Sequence, residues 1–430
     1  MPETVTAQRG RGGRHVAVRT SEWSSPVLRG GLALTLNSIA GAALGLVFWV
    51  LAARLLPVAH VGLGMATVAT ITTVANLGQL NLYQTAGVLL AGSTRRRRLS
   101  LELTGLAAGA TAVVGSGALL LWTVTDLGDE LVVGGPLILA CALGWTLFAL
   151  KDGLLVGLRG FMAVPVLNTA YGLLKIAALV LTAAALGGAS IVLATFLPIL
   201  LVLPVAAWLL LGRTREGGAP LPAASSAGAP SGLDRRFIGV DYLGFVCLQL
   251  STTLLPFLIL SWAGAHAAGI FAVVWLLVVM LDTLAHNAGV PLASEAARDP
   301  RSARRLAGMI GRRAFALVAL GVAGTLLLAE FILGFFGAEY AADGATALRL
   351  MVLASLARCY TVLTLALLRA RRRAGAASGV EAVHLAALLC AAAVLVPAHG
   401  VTGMAAAWLV AQAATAAAAY FTRETGGSTR

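Results

Sequence analysis

Apolar stretches of roughly 20 residues, each long enough to cross a bilayer, alternate along this chain with short connectors, and every second connector is rich in arginine. The arginine-rich set comprises the N-terminal tail (Arg9, Arg11, Arg14, Arg19, Arg29), Arg95 to Arg98, Arg159, Arg213 to Arg236, Arg298 to Arg313, Arg369 to Arg373 and the C-terminal tail. It holds 26 of the 31 basic residues. The intervening connectors hold Arg54 and Arg349 with the acids Asp126, Asp129, Glu130, Glu339 and Asp343, while Lys151, Lys175 and Arg358 lie inside apolar segments. Positive charge is retained on the cytoplasmic side during insertion. The rhythm therefore predicts fold class and topology together: an all-α membrane protein of twelve transmembrane helices with both termini cytoplasmic.

Composition supports this. Hydrophobic residues make up 59%, charged residues 11%, and mean hydropathy is +0.89, far from a soluble domain. The net charge of +13 does not point to nucleic acid, because the arginines sit at helix ends rather than along one face; they read as topology determinants and contacts to membrane lipid headgroups. Cys141, Cys247, Cys359 and Cys390 all fall in apolar segments without metal spacing, so neither a disulfide framework nor a metal site is predicted. Residues 1–28 have no apolar core and read as a disordered cytoplasmic tail rather than a signal peptide.

The predicted spans are roughly 30–53, 61–91, 99–125, 131–157, 162–187 and 190–212, then 236–262, 267–294, 304–335, 344–368, 376–396 and 400–422. Residues 213–234 are rich in Ala, Gly, Ser and Pro and form a flexible cytoplasmic linker. The linker separates a six-helix bundle over 29–212 from another over 235–422, and 423–430 form a second tail. An offset of 207 residues aligns the first four helices of the halves without a gap. It places Gly269 on Gly62, Arg304 and Arg305 on Arg97 and Arg98, and Arg358 on Lys151. Six crossings per half make this a parallel repeat, two bundles related by a pseudo-twofold axis along the membrane normal.

The stretch WVLAARLLPVAHVGLGMATVATI (Trp49–Ile71) carries Arg54, Pro57 and Gly62 where the first two helices of polysaccharide flippases carry an "aR.l.p...G.y" pattern. VANLGQLNLYQTAGVLL follows with Gly78 at the usual small position. WAGAHAAGIFAVVWLL repeats the element through Gly264, Gly269 and Phe271, and LAHNAGVPLASEAARD places Pro291 near the end of helix 8. The chain resembles the polysaccharide-transporter branch of the multidrug/oligosaccharidyl-lipid/polysaccharide exporter superfamily. It departs from many members late in helix 2, where Tyr83, Gln84 and Thr85 replace a basic residue. The resemblance implies a non-enzymatic flippase of a bacterial cytoplasmic membrane. Such a protein moves a polyprenyl-diphosphate-linked oligosaccharide outward by alternating access for cell-surface polysaccharide biosynthesis, without a cofactor. It also implies a central cavity between helices 1, 2, 7 and 8, and glycosyltransferases or a polymerase of the same pathway as protein partners. A cation-coupled exporter of small molecules or drugs is the alternative, and a membrane-embedded transferase acting on lipid-linked sugar a third. The sequence has no HExxH, GxSxG or P-loop pattern, so energy would come from an ion or substrate gradient.

Charges at membrane depth are the site candidates, since burying one costs at least about 2.5–3.5 kcal/mol on insertion scales. Lys175, about 20 Å into the fifth helix, is a candidate anion ligand or a paired structural cation. Lys151 and Arg358 either join the cavity or snorkel to the interface. Asp282 and His286, four apart on one helix face, form a coupling-ion site or a structural pair. Arg54, at the outer end of helix 1, is a gate, a phosphate ligand or an interfacial anchor. Asn76, Gln79 and Tyr83, at i, i+3 and i+7, predict a polar stripe on helix 2 that lines the cavity or joins helices.

Overall fold

In hydrocarbon every backbone N–H and C=O must find its partner within the segment, so apolar spans of this length become helices. The computed structural model describes residues 26–82, 86, 90, 95–125, 131–158, 160–215, 235–298, 300–370 and 373–425. They form α1 (Pro26–Leu55), α2 (Val58–Gly78), α3 (Arg96–Thr125), α4 (Gly135–Gly157), α5 (Ala163–Leu186), α6 (Gly188–Arg215), α7 (Arg235–Thr253), α8 (Leu255–Arg298), α9 (Pro300–Gly334), α10 (Ala338–Ala370) and α11 (Ala374–Thr425). Among the described residues, ten helical stretches are long and apolar enough to span a membrane. Two of these, Tyr242–Thr283 and Gly375–Thr422, are twice the usual length because each contains a reversal. The chain turns at Gly264 (φ +83°) and Gly400 (φ +53°), values that a residue with a Cβ rarely adopts. Counted across those turns, twelve crossings result, as predicted.

Many large aliphatic side chains face outward, and many alanines are buried between helices. Leu181, Leu327, Val113 and Leu320 are largely exposed, whereas Ala66, Ala268, Ala272 and Ala347 are fully buried. That inversion suits a lipid surround, where interior small residues let helices approach.

α1 to α6 pack among themselves as one bundle and α7 to α11 as the other, and they meet mainly where α2 lies along α8, with α7 beside it. The contact is reciprocal. A Cβ added at Gly62 would overlap the Ala265 carbonyl, and one added at Gly269 would overlap the Val58 carbonyl. Val58 and Ala265 are themselves 207 residues apart, as are Gly62 and Gly269. The contact of Gly62 with Ala265 is thus repeated by their symmetry mates, Gly269 with Val58, the rule for an isologous contact on a twofold axis.

Only one apolar cluster joins the halves among the described residues. Where it crosses between the halves it runs from Phe48, Trp49 and Ala52 on α1 and Leu56 just after it to Leu333, Phe336 and Tyr340 of the second half, on the arginine-poor face. Towards the arginine-rich face each half has its own cluster, around Leu90, Leu103 and Leu150 in the first and Leu365, Leu368 and Val380 in the second. The molecule is therefore closed on the arginine-poor side. Arg54 secures this closure: its Nε donates to the Phe335 carbonyl (2.9 Å) and its Nη2 to the Gly334 carbonyl (3.1 Å) at the end of α9. Helix C-termini carry the partial negative charge that favours such a cation.

The crossing predicts a stability difference between glycines. Gly62→Ala and Gly269→Ala should each lower the thermal unfolding midpoint through overpacking worth about 1–3 kcal/mol. Gly41→Ala, whose Cβ meets open space, should not. Equal midpoints for all three variants in detergent would refute the close crossing.

Candidate functional site

Each half holds a polar cluster inside its own bundle. In the first, α1, α4 and α5 surround a cavity of about 260 Å³ lined by Asn37, Phe148, Asn168, Tyr171 and Lys175. Lys151 does not snorkel. Its side chain is 2% exposed, and its Nζ donates to Asp152 Oδ1 and Asn168 Oδ1, both at 2.7 Å, while lying 3.7 Å from the centroid of the Phe148 ring. Asn168 Nδ2 in turn donates to Asp152 Oδ2 and Asn37 Oδ1, both at 3.0 Å. The Tyr171 hydroxyl donates to the Thr195 carbonyl (2.9 Å).

Lys175 differs from all of these. It stands two helical turns beyond Asn168 on α5, and among the described residues its partner is the face of Phe48, 3.9 Å from the ring centroid. A cation–π contact stabilises an ammonium by about 0.5–2 kcal/mol, less than the cost of holding a charge at membrane depth. This cavity accordingly favours a ligand that brings negative charge.

In the second half, Asp282 on α8 does take a partner, but from another helix: its Oδ2 lies 3.0 Å from Arg358 Nε on α10. Arg358 therefore does not snorkel either, and its guanidinium stands 5.6 Å from the Trp408 ring. The His384 ring meets the same indole edge-on at 5.2 Å, and its Nδ1 shares a hydrogen bond with Thr415 Oγ1 (2.9 Å). Glu381, one turn before His384, is buried 3.9 Å from Arg369. Asp282 Oδ1, Tyr360 OH, His384 Nε2, Trp408 Nε1 and Gln412 Nε2 are buried without a hydrogen bond among the described residues. The cluster thus retains donors and an acceptor beyond those its own pairings use. His286 lies one turn after Asp282 on α8, but its side chain is outside the described residues, as is Tyr83.

The helix 2 stripe is not continuous. α2 ends at Gly78, and Leu80 (φ +53°) and Asn81 (φ +58°) adopt left-handed conformations, so helical spacing does not carry from Asn76 and Gln79 to Tyr83. Gly78 is pressed against Thr111 of α3, and Asn81 is a residue that tolerates the left-handed region. The break leaves carbonyls without helical partners. Leu77 O loses its regular helical donor, accepts instead from Leu80 N (3.4 Å), and takes a second hydrogen bond from the Tyr242 hydroxyl of α7 (2.8 Å), across the interface between halves. Gln79 is buried beside the break, its Nε2 unpartnered among the described residues; Asn76 lies half-buried on the last turns of α2.

The structure thus brings Lys151 and Lys175 to one side of the first bundle and Asp282 and Arg358 together in the second, with Arg54 apart on the arginine-poor face. Sequence reasoning missed Asn37, Asn168, Tyr171, Glu381 and His384. The signal was present: polar or ionisable residues within apolar segments, Glu381 and His384 at i and i+3.

No protein-family model matches the sequence, and no curated protein matches it by sequence. The fold is nonetheless similar to solved ones. A multidrug resistance MATE family transporter of the MOP superfamily, in an inward-facing conformation, superposes with TM-score 0.60 at 15% identity, over 94% of this chain and 100% of that one. An outward-facing structure carrying the same description gives 0.56 at 15% identity, over 94% and 96%. A Vibrio cholerae MATE transporter mutant gives 0.53 at 14% identity, over 94% and 97%. At these identities the likeness is one of fold: two bundles of MATE type.

The Asp282–Arg358 contact generates a prediction. Removing one partner of a buried ion pair leaves an uncompensated charge at a cost on the order of 3 kcal/mol, whereas removing both is nearly neutral. Arg358→Met should lower the unfolding midpoint sharply, and adding Asp282→Asn should recover most of the loss. Failure of the second change to rescue would mean that the pair does not carry the charge balance.

Proposed function

We propose that this protein is a transporter that moves an amphipathic, anionic substrate, a polyprenyl-diphosphate-linked oligosaccharide, across a bacterial cytoplasmic membrane by alternating access, for cell-surface polysaccharide assembly. The observation that carries this reading is Lys175, a cation facing a cavity with only an aromatic face for a partner among the described residues. A diphosphate supplies the missing negative charge, and Asn37, Asn168 and Tyr171 supply the polar lining.

The fold and its state support a rocking mechanism. Two bundles meeting on a pseudo-twofold axis are the ground plan of transporters that expose a central site alternately to each side, and the fold has neighbours described as inward-facing and as outward-facing. With the arginine-rich face inside, closure by Gly62, Gly269 and Arg54 on the other face is the state that receives substrate from the inner leaflet. Outward opening then requires Arg54 to release the Gly334 and Phe335 carbonyls. Glycosyltransferases or a polymerase of the same pathway would supply and consume the substrate.

A second reading, cation-coupled export of small molecules, is favoured by the neighbours described as multidrug resistance transporters. Asp282 and Glu381 would then be the coupling acids.

Deletion of the gene decides between these readings. The flippase predicts build-up of a polyprenyl-diphosphate oligosaccharide in lipid extracts, measured by mass spectrometry. The intact gene should reverse it, and Lys175→Ala should not. No build-up, in a strain shown to make such a lipid and lacking a second flippase, moves the assignment to the exporter.

A further inference from the structure

On the lipid-facing side of the first bundle, away from the Lys175 cavity, α3, α4 and α6 form a groove of about 320 Å³. Its walls are largely apolar, with Leu147 and Leu154 from α4 and Leu203 and Ala207 from α6 among them, and Ser100, Thr104 and Lys151 also line it. Its mouth lies at the arginine-rich face, where Arg97 and Thr214 line both this groove and a cleft formed by Arg95 to Arg98 and Glu102. Four arginines thus surround one acid, and that acid is bound to Arg98 at 2.7 Å. Arg96 Nε is buried there without a hydrogen-bond partner among the described residues.

From Thr214 to Leu203 the groove runs eleven residues along α6, about 16 Å at 1.5 Å per residue. That is about half of a ~30 Å hydrocarbon core, the depth of one leaflet. A cationic mouth bearing a hydroxyl and an apolar trough one leaflet deep match the two ends of a single molecule.

We infer that this groove is a binding site for an anionic phospholipid of the arginine-rich leaflet, its phosphate on Arg97 and Thr214 and one acyl chain between α3, α4 and α6. Lys151 forms part of the inner wall while its ammonium holds Asp152 and Asn168. The bound chain therefore lies against the back of the first bundle's polar cluster.

The test uses the full-length protein purified in detergent and titrated with dioleoyl-phosphatidylglycerol, dioleoyl-phosphatidylcholine or glycerol phosphate, with adducts counted by native mass spectrometry. A discrete phosphatidylglycerol adduct should persist on the wild type. Arg97→Ala should weaken it about fivefold, the worth of one arginine near an anionic headgroup. Ala207→Phe, which fills the trough from an exposed position, should abolish it, and Leu211→Trp provides a second block should the first variant fail to fold. Leu181→Phe, on an exposed surface elsewhere, should leave it intact. Equal retention of phosphatidylcholine would overturn the headgroup assignment. An adduct that survives both trough-filling changes would mean a surface film on the arginines. Competition by glycerol phosphate as strong as by the lipid would reduce the site to a free-phosphate site.

Discussion

The two halves of this protein touch through backbone, and that contact exists because Gly62 and Gly269 have no side chains. Carbonyl oxygens of Ala265 and Val58 occupy the space in which a Cβ would stand. In a bilayer no hydrophobic driving force draws helices together, so close approach and dispersion must supply the adhesion. The glycine crossing supplies both at a single point on the pseudo-axis. The shared apolar core gathers around it, and Arg54 adds a charge-assisted tie to the end of α9. Towards the arginine-rich face, the halves are tied among the described residues by the hydrogen bond from the Tyr242 hydroxyl to the Leu77 carbonyl, a lighter contact than the glycine crossing.

Charge placement is the second constraint, and the halves meet it differently. The fourth crossing of each carries a buried cation at equivalent positions, Lys151 and Arg358. Lys151 is neutralised by its chain neighbour Asp152 and steadied by Asn168. Arg358 is neutralised from a different helix by Asp282. The repeat conserves the need for compensation, not the residue that provides it. Lys175 has no counterpart in this balance, because Asp152 is already engaged by Lys151 and Asn168. This asymmetry separates a first bundle with a cation facing a cavity from a second bundle whose buried acids Asp282 and Glu381 stand against arginines.

Much of this architecture was legible in the sequence because insertion reads the same signals: span length, arginine bias, and turn residues between spans. The 207-residue offset that aligned Gly62 with Gly269 proved to be a physical contact, since a residue near the twofold axis must lie near its own mate. What the sequence concealed were pairings across helices. Spacing set Asp282 beside His286, whose side chain lies outside the described residues, but gave no sign of Arg358, 76 residues away on α10, a proximity that only helix packing creates. The break in α2 was hidden for a different reason. Leu80 is a good helix former, and nothing local marks it as left-handed; the conformation follows from Gly78 pressing on α3 and from Tyr242 accepting the role of cap. The connector over 216–234 lies outside the described residues, so its predicted flexibility remains a reading of composition.

A close crossing at one end makes contacts at the other end sensitive to state. Leu77 stands fifteen residues from Gly62 along α2, about 22 Å at 1.5 Å per residue. A tilt of about 5° between halves moves that point by about 2 Å, enough to break a hydrogen bond whose useful range is a few tenths of an ångström. The Tyr242–Leu77 bond is therefore compatible with the arrangement seen here and with few others, whereas contacts at the glycine crossing survive small rotations almost unchanged. The Leu77 carbonyl also accepts from the Leu80 amide (3.4 Å), so the Tyr242 hydroxyl adds a second bond, one that spans the halves, to an oxygen that the turn itself already satisfies.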